Sequence, residues 1–254
     1  MLSVKNVTVR FGGISALDSV SFDVPDGTIF GLIGPNGAGK TTLLNCLSRV
    51  YRHKSGDITF AGRSISKLAP HAIPRLGIAR TFQNLAVFHS MTVLENVLIG
   101  AHCRSRAGFI ASALRPRWVG AEEARLKARA LEIARYLDLW RLAERQISEL
   151  PFALKKRVEL GRALAAEPRL LLLDEPAAGL NELEVRELRD LINDVGNRYD
   201  LTVLLVEHHM GLVMSVTNRI AVLNFGKKIA EGRPEEIRRN PEVVAAYLGT
   251  VSRG

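Results

Sequence analysis

The 254-residue sequence predicts an α/β fold: a mainly parallel sheet covered by helices on both faces, an N-terminal antiparallel β subdomain and an inserted α-helical subdomain. Three observations lead there. Short apolar runs alternate with amphipathic stretches early in the chain and again beyond Pro151, as parallel strands and their crossover helices do. From about residue 86 to 150 helical spacing takes over. Finally, the glycine-rich stretch Gly34-Pro35-Asn36-Gly37-Ala38-Gly39-Lys40-Thr41-Thr42 joins an apolar run to a helical one. One domain is expected over 1–254, with its core in 1–85 and 151–254 and the helical subdomain in 86–150.

Each element has a local reason. Residues 3–9 (Ser-Val-Lys-Asn-Val-Thr-Val) and 19–24 (Ser-Val-Ser-Phe-Asp-Val) alternate as half-buried strands should, and Pro25-Asp26-Gly27 is a turn signal closing the second. Thr28 to Ile33 is short, apolar and rich in β-formers, and Thr42 to Leu47 is the helix after the loop. Ser55-Gly56 turns the chain into Asp57-Ile58-Thr59-Phe60, and Ala61-Gly62 turns it back, which reads as antiparallel β. Ile78 to Phe82 is a short strand leading into Gln83-Asn84.

In the middle, Val93 to His102 and Ala121 to Leu139 are the expected helices. In the second, Leu126, Ala130, Ile133 and Leu137 recur at helical spacing and Glu123–Lys127 is an i,i+4 pair. Arg104 to Gly120, with Gly108 and Pro116, reads as a loop. Beyond Pro151, Lys155 to Ala166 is helical, and Leu170-Leu171-Leu172-Leu173 is a buried strand. Glu182 to Tyr199 is an amphipathic helix with Val185, Leu188, Ile192 and Val195 on one side. Leu201 to Val206 and Arg219 to Leu223 are further strands.

Composition narrows the function classes. Hydrophobic (47%) and charged (24%) fractions are ordinary for a globular chain. The N-terminus lacks a signal-peptide layout, and no apolar run reaches the roughly 18 residues that span a bilayer. Cys46 and Cys103 are isolated, which suggests a reducing compartment and no disulfide framework. A protein soluble by itself is expected. Its net charge is +9. Residues 101–170 hold about +7 of that, fifteen Lys/Arg against eight Asp/Glu. That excess is either a solvated helical face or a basic patch beside a membrane or RNA.

The loop at Gly34 satisfies G-x-x-x-x-G-K-[ST], and each fixed position has a job. The glycines let successive N–H groups turn inward as an anion nest, and the following helix points its positive end at the same place. Lys40 supplies a point charge over phosphates and Thr41 a hydroxyl for Mg²⁺. A glycine-rich turn with no nucleotide role is the competing reading; strand, loop, Lys-Thr and helix together argue against it. Asp174-Glu175, directly after the leucine run, is the second signature. It places carboxylates at the sheet's C-terminal edge, where Asp174 can hold Mg²⁺ and Glu175 can act as general base on water.

With these motifs in place the sequence resembles the ATP-binding-cassette ATPases, and among them the ATPase subunits of branched-chain amino acid and related amide importers. The resemblance covers essentially the whole chain. It is most particular at Arg10-Phe11-Gly12-Gly13, Gly77 to Asn84, Met91 to Val97 and Asn240 to Gly249. It implies a P-loop NTPase (RecA-like) core, ATP and Mg²⁺ as cofactors, and ATP hydrolysis coupled to import. Phe11 falls where the family stacks an aromatic on adenine, a core phenylalanine being the alternative. Gln83 falls at the glutamine loop, which touches Mg²⁺ or water and senses the transmembrane partner. His208 matches the switch histidine that bonds the γ-phosphate. Asn181 stands where the family's loop after the catalytic Glu usually has Asp.

The family signature Leu-Ser-Gly-Gly-Gln appears here as Leu150-Pro151-Phe152-Ala153-Leu154. In the family this segment faces ATP held by the other subunit. Pro151 removes a hydroxyl and an N–H, and Ala153 tolerates positive φ less well than glycine. A weakened contribution to the opposite site is expected, hence pairing with a second ATPase subunit, a heterodimer before a homodimer. The resemblance further implies permease subunits contacted around Gln83 to Val97, a solute-binding protein acting indirectly, and a peripheral place on the cytoplasmic face of the inner membrane. Two alternatives stay open. One is a non-transport relative acting on nucleic acid or the ribosome, though tandem cassettes and a long coiled coil are absent and no nucleic-acid partner is expected. The other is a nucleotide sensor without turnover.

Overall fold

Valines spaced for burial begin the chain, and in the computed structural model, which describes residues 1–81, 85–104 and 117–248, they form an edge-to-edge hairpin. In chain order the described residues contain β1 (Leu2–Phe11), β2 (Ile14–Val24), β3 (Ile29–Ile33), α1 (Lys40–Leu47), β4 (Ser55–Phe60), β5 (Arg63–Ser64), α2 (Ile73–Leu76) and β6 (Ile78–Arg80). The helices α3 (Val93–Ala101), α4 (Arg117–Tyr136) and α5 (Phe152–Ala165) follow. Then come β7 (Leu170–Asp174), α6 (Glu182–Arg198), β8 (Thr202–Val206), α7 (Met210–Val216), β9 (Arg219–Asn224), β10 (Lys227–Gly232), α8 (Pro234–Arg239) and α9 (Pro241–Leu248). The chain divides into two compact units, Met1–Ile73 with the chain from Arg169 onward, and Pro74–Pro168.

The first unit holds two sheets. β2-β1-β4-β5 is antiparallel throughout. Its long hairpin is not regular: Asn6 and Ser19 take positive φ, and the β1–β2 register shifts between Val4 and Val7. Such bulges twist a ribbon without changing which face is buried. The second sheet runs β10-β9-β3-β8-β7, with β9, β3, β8 and β7 mutually parallel and β10 antiparallel to β9. β3 lies in the middle, so Phe30, Leu32 and Ile33 are fully buried. Phe30 stacks on Phe22 of β2 at 5.4 Å, joining the two sheets through one core. The C-terminal helices close one side, with Ile237 and Val243 packed against Ile33, Val213, Ile220 and Val222, and Tyr247 at its margin. Each such side chain contributes about 1.5–3 kcal/mol by leaving water.

In the second unit α3, α4 and α5 pack through Val97, Ile133, Leu137 and Val158, all buried. Gly161 allows it: a Cβ there would lie 3.0 Å from Leu137 Cδ1 and 3.2 Å from Val97 Cγ2. Thr92 starts α3 with a capping box, its hydroxyl accepting from the Glu95 N–H at 3.2 Å while Glu95 Oε2 accepts from the Thr92 N–H at 2.8 Å. Buried Asn96 accepts from the Phe88 N–H at 2.8 Å and donates to the Phe88 carbonyl at 3.0 Å, so the approach to α3 is held by side-chain bonds. Several helix boundaries differ from the expected ones. α4 begins at Arg117, inside the stretch read as a loop, and ends at Tyr136, because Asp138 turns left-handed (φ 56°) and the Leu139 N–H returns to Ala134. α5 begins at Phe152, three residues earlier than expected, with Pro151 as its N-cap (φ −56°, ψ 154°). Residues 105–116 lie outside the described residues.

Candidate functional site

β3 ends at the sheet edge, and the chain must turn there without a side chain. Gly34 has φ 150°, and a Cβ on it would run into the Leu223 carbonyl oxygen. Gly39, at φ 102°, meets β2 as closely: its Cβ would lie 2.6 Å from the Ala16 oxygen. Only glycine meets both demands, positive φ and close backbone approach. The β9–β10 turn locks this arrangement, since the Gly226 N–H donates to Ala38 O at 3.0 Å and Gly226 O accepts from the Asp18 N–H at 2.8 Å. Gly39 is also the N-cap of α1, whose first turn has no acidic residue to occupy its N–H groups. Asn36, Gly37 and Thr41 are exposed, Thr42 partly so, and Pro35 and Ala38 are buried.

Lys40 is 6% exposed and donates to Gly34 O at 2.7 Å and Pro35 O at 3.0 Å. Burial lowers its pKa; the charges of Glu175 and Asp174 push the other way. Both carboxylates therefore stand within electrostatic reach of the ammonium. They arrive on β7, which pairs parallel with β8 in a register that puts Asp174 beside Val206. Asp174 is buried. Glu175 takes φ 48°, with its N–H on Val206 O at 2.8 Å and its carbonyl accepting from the Ala178 N–H at 3.1 Å. A non-glycine residue in that region costs on the order of 1–3 kcal/mol, which the surrounding bonds must sustain. His208 follows β8, and its Nδ1 stands 3.8 Å from Glu175 Oε2. The imidazole is 58% exposed and the carboxylate 15%, so the pair opens to solvent on the histidine side.

Other site residues acquire specific surroundings. Phe11 is 48% exposed, which removes it from the core, and its ring meets Tyr51 edge-on at 5.2 Å. Asn181 caps α6: Oδ1 accepts from the Leu183 and Glu184 N–H groups at 3.0 Å each, and Glu184 Oε2 accepts from the Asn181 N–H at 2.8 Å. Sequence reasoning passed over Glu207. Wholly buried, it accepts from the N–H groups of Ala177 (2.7 Å), His208 (2.9 Å) and His209 (3.0 Å). The signal was available, because Glu207 follows the apolar run Leu201–Val206 just as Asp174 ends Leu170–Leu173.

The second unit carries the remaining candidates. Gln83 lies outside the described residues. Leu150 is buried, Pro151 is the N-cap of α5 and offers no side-chain cap, and Phe152 is 45% exposed under Lys156 at 5.4 Å. Ala153 sits inside the right-handed helix and is not among the positive-φ residues, so alanine is unstrained there; Leu154 is partly buried. Along α5, buried Glu159 accepts from the Ala86 N–H at 3.4 Å and Arg162 donates to the Ala86 carbonyl, holding the segment just after Gln83 from both sides of one residue.

Comparison with known proteins agrees with this fold. The family model described as ABC transporter matches residues 17–178, and the one described as branched-chain amino acid ATP-binding cassette transporter matches 227–252. The chain is 42% identical over 250 residues to the high-affinity branched-chain amino acid transport ATP-binding protein LivG of Salmonella typhimurium, covering 98% of both. It is 40% identical over 249 residues to BraF of Pseudomonas aeruginosa, a protein of the same description, again with 98% of both covered. Among solved structures, the ADP conformation of an ATP-binding cassette of an ABC transporter superposes with a TM-score of 0.86 at 33% identity, covering 98% of each chain.

Proposed function

Because the chain belongs to the ABC transporter family of ATP-binding cassettes, we propose that it is the ATP-binding and ATP-hydrolysing subunit that energises an importer of branched-chain amino acids or related small polar solutes. The supporting observation is the convergence at one sheet edge of buried Lys40, Asp174, and the Glu175–His208 pair at 3.8 Å.

In this reading the N–H groups from Gly37 to Thr42 and the Lys40 ammonium bind the phosphates, while the exposed Phe11 ring stacks on adenine. Phosphoryl transfer asks little covalent chemistry of a protein; positioning and charge do most of it. Glu175 accepts a proton from the attacking water as the water oxygen bonds to the γ-phosphorus and the bond to the β-phosphate oxygen breaks, leaving ADP and phosphate. His208 bonds the γ-phosphate and keeps Glu175 facing it. The Thr41 hydroxyl, exposed at the start of α1, and the buried Asp174 carboxylate are hard oxygen donors beside Lys40 and fit a divalent cation. They would hold Mg²⁺ with Gln83, and the bound ion would neutralise phosphate charge.

The Pro151 cap, which offers no side-chain hydroxyl, favours a partner ATPase whose intact signature completes the site at Lys40, with the altered segment offered in return. Residues near Gln83 to Val97 contact the permease, and peripheral membrane attachment comes through it. No helix among the described residues is long and apolar enough to cross a membrane.

ATPase measurements on wild type and Glu175→Gln test the assignment. Wild-type turnover and a loss of 100-fold or more in the variant, with ATP still bound, are expected. Binding without turnover in the wild type would mean a nucleotide sensor instead.

A further inference from the structure

The catalytic carboxylate and the switch histidine follow different strands, and neither strand by itself sets their separation. Glu175 leaves β7 in a left-handed conformation and starts the turn Glu175–Ala178; His208 leaves β8 two residues after Val206. Between them lies one wholly buried side chain. Glu207 Oε1 takes the Ala177 N–H at 2.7 Å, and Oε2 takes the His208 and His209 N–H groups at 2.9 and 3.0 Å. Three donors converge on two oxygens, so both oxygens of the side chain accept, which a carboxylate allows and an amide does not.

Resting on the reading of Glu175 and His208 as the ATP-facing pair, we infer that Glu207 is a positioning residue that fixes the turn after Glu175 and the backbone of His208 relative to each other. Its reach extends further. Ala177 O accepts from the Leu180 N–H at 3.1 Å, and Leu180 leads directly to Asn181, the cap of α6. His209, whose N–H is the third donor, caps α7 through Nδ1, which accepts from the Leu212 N–H at 3.2 Å. One carboxylate thus ties together the starts of α6 and α7 and the two residues facing the γ-phosphate. The phosphate loop makes none of the Glu207 bonds, so nucleotide affinity and hydrolysis respond separately to its loss.

Glu207→Gln tests this. It preserves shape but turns an NH₂ toward backbone donors. In the full chain, ATP affinity is expected to stay within about twofold of wild type, while turnover falls on the order of tenfold or more, a binding-neutral loss of kcat. Amide hydrogen exchange on nucleotide-free protein supplies a second readout independent of hydrolysis. The Ala177, His208 and His209 amides should be protected in the wild type and lose roughly tenfold or more protection in the variant, with Phe30 and Leu32 of β3 unchanged. Equal loss of affinity and turnover, wild-type turnover in the variant, or freely exchanging amides in the wild type would each overturn the inference. The wild-type exchange measurement needs no variant to fold, and it stands even if the protein binds no ATP, a result that would instead count against the transport reading.

Discussion

Replacing Lys40 by Met removes one charge at nearly constant volume and tests whether the ammonium holds phosphate. The ammonium has three donors, of which two are engaged with Gly34 O and Pro35 O. The third is available to phosphate without breaking either bond. A charge-assisted hydrogen bond contributes about 1.5–3 kcal/mol. At about 1.4 kcal/mol per tenfold, ATP affinity should fall roughly 10- to 150-fold from that bond alone, and further from lost Coulomb attraction. The fold should tolerate the change better, because removing a buried charge relieves desolvation while two carbonyls lose a donor. A loss of about 1–2 kcal/mol is expected, a Tm decrease of roughly 2–8 °C. The pH dependence has a definite sign. Burial lowers the folded-state pKa, so between that value and the ordinary lysine value the unfolded chain binds more protons. The ammonium's destabilisation is therefore fully present below the folded pKa and disappears as pH rises through that window. The stability difference, wild type minus Lys40→Met, should grow with pH there. Titration calorimetry with ATP and urea unfolding at several pH values measure both quantities. Affinity within threefold of wild type would refute the placement of Lys40 on phosphate.

Asn181→Ala should cost about 1 kcal/mol, read as a Tm decrease of roughly 2–4 °C, whereas Asn181→Asp should match or exceed wild type because an acid also caps α6. Pro151→Ser restores a capping hydroxyl at the start of α5 and should raise ATPase activity in preparations where this chain pairs with itself. Strong cooperative hydrolysis by the unaltered chain alone, unchanged in Pro151→Ser, would argue against a required second ATPase.

Much of the site was legible because its chemistry is local. Gly34 to Thr42 is a contiguous loop whose glycines, lysine and hydroxyl must stand in that order to cradle an anion, and the alternating or continuous apolar runs declared their strands. Helix ends were less legible. Asp138 turns left-handed through backbone bonds to residues 134 and 135, and no periodicity reports such a choice. Phe11 could be read from sequence as core or platform, and its exposure beside Tyr51 removes the core reading.

The sequence by itself determined the fold class, the family and the glycine-rich loop proposed to bind phosphate, since each depends on residues close together in the chain. Only the tertiary structure decided how Glu175 and His208 come within 3.8 Å and what steadies them. That distance arises from the register of two parallel strands some thirty residues apart and from Glu207 buried between the loops that follow them. An acidic residue after an apolar run looks alike whether it faces a metal, a water molecule or three backbone amides. Which of these it meets is set by what the neighbouring strand places opposite it.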